Sequence, residues 1–176
     1  MRALALGMAI LALIPAAAFA HGPSRQKVTE TVEINAPAAK VWEAIGNFQD
    51  MSWHPAIAKT EGKGGNEANA TRTLTLKDGG QINEVLIKYD PEKMTYKYEM
   101  VKPDVKVIPV ANYSSILTVK PDGDDKSTVT WRGAFYRGFM NNDPPPELSD
   151  EAAVKAVTGI YRSGLDALKK KVETGS

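Results

Sequence analysis

The sequence predicts an α+β domain: a curved antiparallel sheet of about seven strands wrapped on a long C-terminal helix, with two short helices after the first strand. Three observations predict it. Apolar and polar residues alternate with a period of two over much of residues 28–137. Segments 38–45 and 150–172 instead carry apolar residues three and four apart. The breaks at Asp78-Gly79-Gly80 and Asp90-Pro91-Glu92 have turn chemistry, which makes neighbouring strands antiparallel.

Val28, Val32 and Ile34 alternate with Thr29, Thr31 and Glu33, as a strand with one buried face requires. Asn35-Ala36-Pro37 ends that strand, and Pro37 suits the first position of a helix because the N–H it lacks would be unpaired there. Ala38, Val41, Trp42 and Ile45 then share one side of a short helix that stops at Gly46, and a second short helical turn is expected over 48–53. Gly62-Lys63-Gly64-Gly65 reads as a flexible connection.

Strands follow over about 71–77, 81–89 and 93–101, then a loop containing Pro103 and Pro109, then strands over about 113–120 and 126–137. Residues 141–146 include three consecutive prolines and form a stiff linker. Ser149 caps the last helix, Asp150 and Glu151 complement its positive end, and Lys169-Lys170-Lys171 complement its negative end. Along it Val154, Val157, Tyr161, Leu165, Leu168 and Val172 form one apolar stripe, and the sheet is the surface available to cover it.

Composition narrows the function before any motif does. The 176 residues carry 22 basic and 21 acidic side chains, so no global field exists to hold nucleic acid or an anionic membrane. Cysteine is absent and histidine occurs only at His21 and His54, which excludes thiol chemistry, iron–sulfur clusters, covalently attached haem and Cys/His zinc sites; no cofactor is expected. Met1-Arg2, an apolar run to Ile14 and Ala18-Phe19-Ala20 read as a signal peptide cut between Ala20 and His21. Arg2 is the one charged residue it removes, so a single mature domain, 21–176, has a formal net charge of zero and is expected in the periplasm, free of the membrane.

Three separated segments carry a resemblance. Residues 32–45 with Asn35-Ala36-Pro37 and Trp42, the stretch Trp53-His54-Pro55-Ala56-Ile57, and residues 153–172 with Tyr161 and Gly164-Leu165 resemble the START/Bet v 1-like superfamily, polyketide cyclase/dehydrase branch. The resemblance implies a helix-grip fold with a cavity between the concave sheet and the terminal helix. Within the superfamily, the leader, residues 52–55 and residues 136–143 are most similar to a periplasmic group associated with bacterial methanol oxidation. That similarity implies a noncatalytic accessory role, with methanol dehydrogenase, its cytochrome c acceptor or a small apolar ligand as partners.

Period-two spacing puts Met94, Tyr96, Tyr98 and Met100 on one strand face, and Trp131 and Phe135 on another, as candidates to line the cavity together with Tyr161. Simple core packing accounts for the same pattern. Trp53-His54 is the most distinctive local site, because a neutral imidazole can act as acid or base. Catalysis of cyclase/dehydrase type would need Asp50 or Glu84 to orient His54; otherwise the imidazole shapes its loop through backbone hydrogen bonds. A carrier of a small apolar molecule is the third reading.

Overall fold

The computed structural model describes residues 22–175, so the expected signal peptide and its cleavage site lie outside the described residues. The first strand, β1 (Gln26–Ile34), buries Val28 and Ile34 and leads into α1 (Ala38–Ile45). Pro37 stands one position before the helix rather than at its first residue, and its carbonyl accepts from the amides of Lys40 and Val41. The expected second short helix is realised as two successive single turns, closed by Asp50 N–H to Asn47 O and His54 N–H to Met51 O.

Six more strands follow: β2 (Ile57–Lys63), β3 (Thr71–Leu76), β4 (Gln81–Asp90), β5 (Thr95–Met100), β6 (Val110–Pro121) and β7 (Ser127–Arg137). They form one antiparallel sheet in the order β1-β7-β6-β5-β4-β3-β2. Irregular pairings between Ile57 and Lys59, Leu86 and Lys88, and Ala111 and Ser114 increase the local twist, which curls the sheet.

β2 corrects the reading of residues 62–65 as a flexible connection. Gly62 and Lys63 belong to the strand. A Cβ on Gly62 would stand 1.9 Å from Gln49 Oε1 and 2.5 Å from Thr71 O, so glycine is needed where Gln49 crosses the sheet edge. The strand escapes a periodicity reading because it is an edge strand, with five of its seven residues exposed and no buried face to impose alternation.

The long helix α2 (Asp150–Thr174) starts as expected, with Ser149 Oγ accepting from Ala152 N–H, and ends at Gly175, whose left-handed φ of 71° closes a hydrogen bond to Lys171 O. It lies across β1 and β7 and buries Val157, Tyr161, Leu165, Leu168 and Val172, with Ala153 and Gly164 completing the stripe while Val154 is half-buried. Arg137 ties the proline-rich linker to the helix start. Its guanidinium donates to Phe139 O and Asn141 O and pairs with Asp150 at 3.1 Å.

Candidate functional site

The concave face carries Tyr96 and Tyr98 of β5, Tyr113 of β6 and Trp131 and Phe135 of β7, and the helix adds Tyr161. Tyr161 stacks on Trp131 with centroids 4.4 Å apart and ring planes 9° from parallel. Its hydroxyl lies 2.5 Å from that of Tyr113 and 2.8 Å from Ser115 Oγ. Ser115 gives its one hydrogen to Arg132 O at 2.8 Å, so Tyr161 donates to Ser115 and accepts from Tyr113. Trp131 Nε1–H is shared between Tyr98 Oη and Ser115 Oγ, each at 3.0 Å. Burial holds the phenols of Tyr98, Tyr113 and Tyr161 above their ordinary range, so all three stay protonated donors. Gly133 makes the arrangement possible: a Cβ there would meet Tyr161 Oη at 2.4 Å.

His54 enters from the turns after α1 and is 1% exposed. Its Nδ1 accepts from Ala56 N–H at 3.2 Å, which leaves Nε2 as the donor to Ile160 O on α2 at 3.0 Å. Burial lowers its basicity, the Ile160 bond works against that shift, and the charge of Arg72 adds to it. Neither carboxylate considered from sequence orients it. Asp50 accepts from its own loop at Ser52 N–H, and Glu84 is committed to Arg72.

The Arg72–Glu84 pair is a feature that sequence reasoning missed. The two residues are directly opposed across β3 and β4, are 2% and 3% exposed, and meet at 2.6 Å from Nε to Oε2. Arg72 also donates to Phe48 O at 2.8 Å, and its guanidinium lies over the rings of Phe48 and Tyr98 at 4.2 and 5.1 Å. Burial pushes the Glu84 carboxyl up and Arg72 opposes it; burial is the largest influence against the Arg72 charge, and Glu84 together with Tyr96 and Tyr98 outweighs it and holds that charge in place. A signal was present in the sequence: Arg72 falls in phase with Leu74 and Leu76, and Glu84 with Ile82 and Leu86, an opposite-charge pair inside two apolar registers.

Between these groups lies a cavity of about 80 Å³. Of the residues anticipated from sequence, His54, Tyr98, Met100, Trp131 and Tyr161 line it. Trp53, Tyr96 and Phe135 are packed behind that wall: Trp53 against His54 and Trp131, Tyr96 against Trp42 and Phe48, and Phe135 stacked on Tyr113. Met94 is a correction. It precedes β5 at a φ of 46° in the turn closed onto Pro91 O, which takes it out of the strand's alternation and places it at an outer cleft with Lys93 and Thr118. Apolar residues not anticipated, among them Met51, Leu74, Ile82, Ile108 and Ile160, complete the wall. Among the described residues no group of three acidic or histidine side chains is placed to hold a metal ion.

A curved seven-stranded sheet closed by a long helix over an aromatic cavity defines a helix-grip, START/Bet v 1-like protein. Residues 25–173 match the family described as polyketide cyclase / dehydrase and lipid transport, and the chain belongs to that family. Among solved structures, a protein of Bacillus thuringiensis is 31% identical, with 84% of this chain and 98% of that one covered and a TM-score of 0.70. The protein XoxI of Bacillus cereus is 32% identical over 83% of this chain and 94% of its own, also with a TM-score of 0.70. Norcoclaurine synthase from Thalictrum flavum, solved with dopamine and hydroxybenzaldehyde, shares the fold at 16% identity, covering 98% and 99% of the two chains with a TM-score of 0.66. No curated protein matches the sequence.

Proposed function

We propose that this chain is an exported accessory protein of bacterial methanol oxidation, of the kind represented by MxaD, and that it works by binding rather than by catalysis. The observation that carries the noncatalytic part is the state of His54: both ring nitrogens are occupied by backbone groups, and no carboxylate among the described residues is placed to orient it for proton transfer. The link to methanol oxidation rests on the similarity of the leader and of residues 52–55 and 136–143 to that group.

With no cysteine, the protein has no thiol chemistry of its own and would act on proteins that carry the electrons, namely methanol dehydrogenase or its cytochrome c acceptor. Exposed charge at Asp122, Asp124 and Asp125, and at Lys170 and Lys171, supplies local recognition, while Lys169 is engaged with Glu33 O and Glu173. Purified protein should be colourless and should raise the rate of electron transfer from the dehydrogenase to the cytochrome without itself accepting electrons. Because exposed charges are screened over about 8 Å at physiological salt, the stimulation should weaken as salt rises. A deletion strain with unchanged methanol-dependent respiration, together with no complex at low salt, would refute the role.

A further inference from the structure

Among the described residues the cavity has one charged wall residue. Glu84 lines it, yet only Oε2 is used, by Arg72; no protein donor meets Oε1 among the described residues. Around it the wall is carbon-rich: Leu74, Leu76, Ile82, Met100 and Ile108. His54 is bonded at both nitrogens, and the hydroxyls of Tyr113 and Tyr161 are committed to the network around Ser115, while Tyr98 Oη accepts from Trp131 and keeps its own O–H hydrogen unassigned among the described residues. A molecule entering this space therefore meets apolar surface, one unused acceptor on Glu84 and the hydroxyl hydrogen of Tyr98, a pairing that a hydroxyl, both donor and acceptor, can satisfy.

Size and charge narrow the class. At 10–15 Å³ for each water-sized group, a cavity of about 80 Å³ admits roughly six non-hydrogen atoms, well short of the ~300 Å³ of sites for drug-sized ligands. A carboxylic acid would bring a second negative charge against Glu84. An ammonium would leave a net positive charge in a dry site, because Arg72 already neutralises Glu84 at 2.6 Å. A hydroxyl satisfies the free acceptor and adds no charge.

We infer that the cavity is a binding site for a small neutral alcohol or phenol, of roughly six non-hydrogen atoms, whose hydroxyl donates to the unused oxygen of Glu84 while its hydrocarbon part lies against Leu74, Ile82 and Met100. This rests on the reading that the protein works by binding. Access lies beside the β5–β6 loop, where Ile82, Met100 and Ile108 separate the cavity from an outer cleft formed with Gly80, Lys102 and Pro103.

The test titrates the protein with phenol and toluene, and in parallel with 1-butanol, pentane-saturated buffer, butylammonium and butyrate at neutral pH, all of similar size, following Trp fluorescence and methyl NMR shifts. The expected result is saturable binding of phenol and 1-butanol, with phenol at least about tenfold tighter than toluene, as a hydrogen bond to a charged acceptor provides, and with neither butyrate nor butylammonium competing. Equal affinity for phenol and toluene, preference for an ion, or no binding of any probe overturns the inference. Leu76→Phe, which fills the cavity and leaves Arg72 and Glu84 in place, should abolish binding; retained binding would put the ligand elsewhere and overturn it too. Failure here with dehydrogenase stimulation intact leaves the accessory role standing, and alcohol binding without any stimulation leaves this site standing and removes that role.

Discussion

A Cβ placed on Gly164 of α2 would stand 2.5 Å from Cδ2 and 2.9 Å from Nε2 of His54, and 3.0 Å from Trp131. This glycine is therefore the gap through which the imidazole reaches the helix carbonyl of Ile160. In an exposed helix interior, replacing glycine by alanine stabilises by roughly 1 kcal/mol. Here the buried methyl collides with the His54 imidazole and the Trp131 ring, and overpacking of this kind costs about 1–3 kcal/mol.

Gly164→Ala should accordingly fail to stabilise and should lower stability by up to about 2 kcal/mol after the gain in helix propensity is subtracted. Gly159→Ala, on the same helix with nothing within 4 Å of the added carbon, should raise it by roughly 0.5–1 kcal/mol. Urea denaturation of both variants checks the pair. An equal stabilisation by both would mean that His54 does not approach α2 as described.

Arg72 and Glu84 should show strong coupling. Arg72→Met leaves a carboxylate buried without its partner, a loss on the order of 3–5 kcal/mol. Replacing both, as Arg72→Met with Glu84→Leu, should recover most of it, because an apolar pair of similar volume carries no desolvation penalty. A double-mutant cycle from chemical denaturation measures the coupling, and additive losses would contradict a shared buried pair.

His54 should make stability fall in mild acid. Its folded-state value lies below the ordinary 6.5, with burial the main cause, so the unfolded chain takes up the proton first. The contribution is complete above about 6.5 and is lost progressively as pH drops through that value toward the lower folded one. Thermal melts of wild type and of His54→Gln, whose amide can still donate to Ile160 O, should differ most at neutral pH and draw together as the pH falls below about 6.5. Parallel pH profiles would show that another group controls the loss.

The export reading makes a direct chemical statement: material purified from its native host should begin at His21. N-terminal sequencing decides it, and a chain that keeps Met1 and stays with the membrane fraction would reverse it.

By itself the sequence determined the order and type of most elements, because alternation in Val28 to Ile34 and the three-and-four spacing of Val157, Tyr161, Leu165 and Leu168 record which side of each element is buried. It also located most of the aromatic wall, since Tyr98, Trp131 and Tyr161 fall in those buried phases. It did not reveal β2, whose exposed edge leaves no periodic trace, or the displacement of Met94 by a left-handed turn. Tertiary structure alone decided the partners of the polar groups. Cross-strand register matches Arg72 with Glu84, and docking of α2 brings Ile160 O to a histidine 106 residues away in the chain. Burial of a side chain follows from local pattern, but a hydrogen bond or ion pair depends on distances between segments that only the folded chain brings together.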